Sequence, residues 1–190
     1  MKKLTLVLGA LIMTFMLNSC TNKKDAVIAL FNSFFDQEVT ALNNVSNADD
    51  FLSFLTASDE RFDAFYAQLD KEYPITEDDE FVGFNKADSD AAMKVYNDRM
   101  EAFENLRDTK GEELFEPYLA KLENVVNGLA DDLTNDVEPA EDIVDQILAA
   151  YEDIEKYADL GSDEQAERFG ETDSLVQLIF GLNEEEEVAE

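Results

Sequence analysis

The stretch Pro139-Ala-Glu-Asp-Ile-Val-Asp-Gln-Ile-Leu-Ala-Ala-Tyr-Glu-Asp-Ile-Glu-Lys-Tyr-Ala-Asp-Leu-Gly161 decides the fold. Ala140, Ile143, Val144, Ile147, Leu148, Tyr151, Ile154 and Ala158 recur at three-and-four spacing, the period of an amphipathic helix. Pro139 suits a first helical turn, where a missing N–H is tolerated. Gly161 suits a C-terminal stop. Ser162 and Gln165 then form a capping-box pattern that opens another helix. That helix is expected to reach Phe169, break near Gly170 and resume from Thr172 through Phe180.

The same period runs upstream. Val27, Ile28, Phe31, Phe34, Phe35, Leu42 and Val45 line one face of a first helix, with Asn22 and Asp25 placed to cap it. Phe51, Phe54 and Leu55 predict a short second helix opened by Asn47 and Asp50. Ser58 precedes a third, carrying Phe62, Phe65, Tyr66, Leu69 and Tyr73 and ended by Pro74. Residues 74–87 read as a loop pinned by Phe81, Val82 and Phe84. Met93, Tyr96, Met100, Phe103 and Leu106 predict a fourth helix. Leu114, Phe115, Tyr118, Leu119, Leu122, Val126, Leu129 and Leu133 predict a fifth, with Pro117 early in it. No segment alternates strictly, and no repeat recurs. The expected architecture is all-α: a single-domain helical bundle of about six or seven amphipathic helices.

Composition narrows the chemistry. The 190 residues hold 45 Asp+Glu against 14 Lys+Arg, a formal net charge of −31. That charge disfavours nucleic acid, whose binding needs basic groups that displace counterions. With no His, imidazole bases, His-assisted nucleophiles and His-ligated metals are excluded. A single Cys excludes an intrachain disulfide and a Cys-rich zinc site. Fourteen Phe and six Tyr supply a core and separate this chain from a disordered acidic polymer.

The N-terminus carries an address. Lys2 and Lys3 precede an apolar run over residues 4–17, too short for a bilayer-spanning helix of about 20 residues and suited to a secretory signal. Leu17-Asn18-Ser19-Cys20 follows, with the only cysteine of the chain. This junction resembles the lipobox of bacterial lipoprotein signal peptides, an aliphatic residue and two small ones before Cys, although Asn18 departs from the commonest choice. The resemblance covers the signal and its junction alone. It implies lipid attachment at Cys20, a diacylglyceryl thioether on its sulfur, cleavage before it and acylation, such as by palmitate, of the new amino group. More than one acyl chain holds a protein on a membrane where one is marginal. In one group of Gram-negative bacteria an acidic run after the Cys resembles a surface-export signal. Thr21-Asn22-Lys23-Lys24 stands here instead, so the resemblance implies a periplasm-facing protein of the cell envelope. The expected organisation is a removed signal over 1–19, a lipidated tether over 20–24, the acidic bundle over 25–182 and an acidic tail over 183–190.

Three kinds of site are open on sequence. Asp131, Asp132, Asp136, Glu138, Glu141, Asp142 and Asp145 form the densest acidic cluster, and a hard cation such as Ca²⁺ needs several oxygens converging from a turn. The EF-hand spacing is absent there, and acids also belong in the first turn of a helix for its dipole. Paired carboxylates could hydrolyse glycans, but 45 acids make such pairs unavoidable. Phe31, Phe34, Phe35, Phe51, Phe54, Phe62 and Phe65 could line an apolar groove, though their spacing first predicts core. Asp90–Lys94, Glu152–Lys156 and Glu164–Arg168 sit at i,i+4 in the favourable order for surface pairs. The expectation is a non-enzymatic lipoprotein without a cofactor, tethered to the membrane through Cys20 and acting on a protein or small-molecule partner. A Ca²⁺-binding protein and a carboxylate glycan hydrolase are the alternatives.

Overall fold

A computed structural model describes residues 22–76 and 80–181. The signal, Cys20 and the acidic tail lie outside the described residues. Five α-helices follow one another: α1 (Lys23–Asn43), α2 (Ala48–Glu72), α3 (Lys86–Thr134), α4 (Ile143–Tyr157) and α5 (Asp163–Ile179), with a 3₁₀ turn at Ala158–Leu160. No strand forms among the described residues beyond one isolated bridge between Ile75 and Phe81. None of these helices is long and apolar enough to cross a membrane.

The chain is all-α as expected, but with five helices among the described residues rather than six or seven. Ser58 does not open a helix. It is buried inside α2, and its hydroxyl donates to Glu38 Oε2 at 2.7 Å. Gly111 and Pro117 both fall inside α3, a 49-residue helix about 74 Å long. Gly111 is there because a Cβ would lie 2.8 Å from the Leu160 carbonyl oxygen. Gly170 likewise sits within a continuous α5. Pro139 does not start α4. Residues 135–142 are consumed in reversing the chain, with Asp136 in the left-handed region at φ 54°, and the helix begins only at Ile143. Three caps form as expected: Asn22 accepts from Lys24 N–H, Asn47 from Asp50 N–H, and Ser162 and Gln165 complete a capping box.

Side-chain pairings fix the directions. Lys24 pairs with Asp88 at 3.1 Å, and Arg99 donates to Asn32 and Asp36, so α1 runs parallel to α3. Phe54 and Phe62 both meet Phe103 while Tyr66 bonds Tyr96, so α2 runs antiparallel to both. Further along α3, Tyr118 meets Tyr157 and Lys121 bonds Asp153, so α4 descends. Gln165 reaches Glu116 and Arg168 reaches Glu123, so α5 ascends again. Two three-helix units therefore share α3 as a spine. They meet at a waist where Asp49 of α2 accepts from Lys156 and Tyr157 of α4.

The lower unit holds the aromatic core. Phe34 stacks on Phe65 with centroids 4.1 Å apart, and Phe31 meets Phe65, Phe81 and Tyr96. Phe31, Phe34, Phe35, Phe51, Phe54 and Phe65 are all buried, so the phenylalanines are core and not a groove. Each contributes about 2–3 kcal/mol by leaving water, the main term set against the self-repulsion of the acids. Phe81 pins the 74–85 link by donating its N–H to the buried Ser89 hydroxyl, whereas Val82 is exposed.

Candidate functional site

The upper unit leaves an apolar groove. α4 and α5 both pack on α3 more than on each other, and the seam between them stays open. Val144, Leu148 and Tyr151 follow one another at i, i+4 and i+7 on α4, above the buried Ile147. Val176 of α5 and Phe180, the residue that caps its end, face them at i and i+4. The groove encloses about 640 Å³. Val144 is 48% exposed and Leu148 57%, so about half of each apolar side chain stays in contact with solvent.

Its polar edge is fixed. Tyr151 Oη donates to Asp173 Oδ1 at 2.6 Å, and Gln177 Nε2 donates to Asp173 Oδ2 at 2.7 Å. Burial, and then the bond to Asp173, push the Tyr151 hydroxyl well above the usual phenol range, so it stays a donor. Tyr151 also meets Phe169 edge-on at 5.8 Å and separates the groove from a second apolar hollow of about 360 Å³. Phe115, Ile154, Ala166 and Phe169 line that hollow.

The acids singled out by sequence are placed differently. Asp131, Asp136, Glu138, Glu141, Asp142 and Asp145 are exposed and Asp132 is half-exposed, all around the α3–α4 link. The backbone carbonyls of Asp131 and Asp132 close the end of α3 by accepting from Asn135 N–H. Among the described residues, no three carboxylates come together in a way that could hold a metal ion. The expected surface pairs also re-partner. Lys94 bonds Asp98, Lys156 bonds Asp49, and Arg168 bonds Glu116 and Glu123 instead of Glu164. In the last two, a tertiary carboxylate is held in place by the fold, whereas an i,i+4 partner would have to be ordered.

Sequence reasoning missed Glu38, which is 1% exposed and accepts from Ser58 and from Arg61 Nε and Nη2. A signal for it existed: Glu38 continues the stripe Phe31, Phe35, Leu42, where a charge must be paired. Cationic, phenolic and amide donors lower the carboxyls of Asp49 (Lys156, then Tyr157), Asp88 (Lys24) and Glu116 (Arg168, then Gln165). That direction is opposite to what a general acid in glycan hydrolysis needs.

Fold and groove together define an acidic all-α bundle with an exposed apolar seam in its C-terminal unit. No protein-family model, no curated protein and no solved structure matches the chain.

Proposed function

We propose that this chain is a lipid-anchored binding protein of the bacterial cell envelope, tethered through Cys20 and engaging its partner in the α4–α5 groove. The observation that carries the binding role is the pair Val144 and Leu148. They are exposed on a chain of net charge −31, directly opposite Val176 and Phe180. Grouped apolar side chains on a soluble surface mark interaction sites far more often than isolated ones do. The lipobox-like junction supplies the address, and binding without chemistry accounts for the lack of any nucleophile–base arrangement in the sequence.

Two measurements test the two halves. Metabolic labelling with a fatty-acid analogue is expected to mark the wild-type chain and not Cys20→Ser. Label persisting in Cys20→Ser overturns the attachment site. Nile red, a neutral apolar dye, is expected to bind the protein saturably and to lose affinity in Leu148→Gln. An unchanged titration removes the groove as the binding site.

A further inference from the structure

The stretches of chain that build the groove carry charge of one sign. Between Lys121 and Lys156, and again after Arg168, the sequence contains no basic residue. Those two stretches include the end of α3, nearly all of α4 and the last turns of α5, and every residue that lines the groove falls within them. Asp136, Glu138, Glu141, Asp142 and Asp145 lead into α4, while Glu171 and Asp173 lie on α5. An apolar seam about two helical turns long, built from stretches that carry acids and no basic residue, is complementary in charge and shape to a cationic amphipathic helix.

We propose, building on the groove reading above, that the α4–α5 seam docks a cationic amphipathic helix of a protein or peptide partner. Its apolar residues at i, i+3/i+4 and i+7 would lie over Val144, Leu148, Val176 and Phe180. Its Lys and Arg residues would face the acids of the α3–α4 link and of α5. The apolar contacts give affinity, and the charges give attraction at a distance and choice of partner.

The other occupants fit less well. A second copy would bring the same acidic rim against itself. The chain's own tail, with Glu184 to Glu187, has the wrong sign. A lipid on Cys20 starts at the wrong pole. Lys24 is level with Asp88 on α3 and Arg168 with Glu116, about 42 Å further along that helix, and the groove lies beyond Arg168. Only Cys20, Thr21 and Asn22 separate the lipid from α1, and three residues reach at most about 11 Å even when fully extended.

The test is a titration of residues 21–190, which contain every core contact from Val27 to Val176. The probes are a Lys/Leu peptide with leucines at helical spacing, a Glu/Leu peptide with the same apolar face, and Nile red. The Lys/Leu peptide is expected to bind saturably and become helical. Its affinity should fall about tenfold in Leu148→Gln, close to the loss of one buried leucine, and stay unchanged in Val82→Gln. Neither substitution alters net charge. Lys/Leu binding that ignores Leu148→Gln is therefore attraction to acid alone and overturns the docking. Equal binding of the Glu/Leu peptide overturns the cationic partner. Nile red binding that responds to Leu148→Gln, with no peptide binding, defeats this inference and leaves the groove reading standing. Failure of dye and peptide together defeats both. A concentration-dependent dimer in sedimentation, dissolved by Leu148→Gln, makes the seam a self-interface and overturns the proposal.

Discussion

Arg168 forks onto Glu116, Nη1 to Oε2 at 2.9 Å and Nη2 to Oε1 at 3.0 Å, at the residue immediately before Pro117. The same guanidinium reaches Glu123 two turns further on. It therefore spans α3 across the proline, where one backbone hydrogen bond is missing. Gln165 adds a bond to the Glu112 carbonyl on the other side. A proline that would normally mark a helix end is bridged from outside by α5.

Arg168→Gln is expected to destabilise the protein by about 1–2 kcal/mol at neutral pH, since a bidentate, partly exposed pair sits above the usual surface value. The pH dependence follows from Glu116, whose carboxyl Arg168 holds below its ordinary 4.5. Its stabilisation is complete above that value and is lost as pH falls through the lowered one. Urea melts at neutral pH and near pH 3 test this. The gap between wild type and variant should narrow on acidification, and a constant gap would mean that packing, not charge, is lost.

Removing Arg61 isolates the most buried acid of the fold. Arg61→Met leaves Glu38 with only Ser58 as a donor and is expected to cost about 2–4 kcal/mol, the penalty of a stranded buried charge. The double variant Glu38→Met, Arg61→Met should recover part of that loss, because methionine fills the space without a charge. A double variant as unstable as the sum of the two singles argues that the polar cluster itself specifies how α1 packs on α2.

The glycines of α3 separate packing from propensity. Gly128→Ala meets nothing within 4 Å and should stabilise by about 0.5–1 kcal/mol through helix propensity. Gly111→Ala gains the same propensity but places its Cβ 2.8 Å from the Leu160 carbonyl and 3.4 Å from the Phe51 ring. A backbone neighbour yields little, so a net loss of about 1–3 kcal/mol is expected. Thermal melts of the two variants should move in opposite directions.

These positions also explain what the sequence could and could not reveal. The stripes of α1 and α4 were legible because a helical period survives wherever one face must be buried. Ser58 was misread as a helix start, and the fourth and fifth helices as separate, because the contacts that hold these segments, Ser58 with Glu38, Gly111 with Leu160 and Glu116 with Arg168, join residues far apart in the chain. The groove was invisible for the opposite reason: Val144 and Leu148 belong to the same stripe as the buried Ile147 and Ile154. Only the spacing of α4 from α5 decides which of them lacks a partner.

Salt should act on this protein by screening. The acids of the α3–α4 link stay dispersed, so Ca²⁺, Mg²⁺ and NaCl at matched ionic strength are expected to raise the melting temperature equally. A ligand held at a site stabilises in a saturating way. A saturating rise with Ca²⁺ alone would restore a cation site and direct substitutions to Asp131, Asp132, Asp136, Glu138 and Asp142.

Tyr151 gives the groove an alkaline signature. Its hydroxyl donates to Asp173, and Tyr151→Phe should cost about 1–2 kcal/mol at neutral pH, as for a hydrogen bond to a charged acceptor. The native hydroxyl holds its proton well above the ordinary value of 10.0. Its contribution is therefore complete below about pH 10 and is lost as pH rises through the raised value, because the unfolded chain ionises first. Above about pH 10 wild type should lose stability more steeply than Tyr151→Phe in urea melts, so the gap narrows from there upward. Parallel loss in both proteins would mean that the bond to Asp173 is not held in solution. The groove wall would then be free to move, and the Nile red affinity of Tyr151→Phe would match that of wild type.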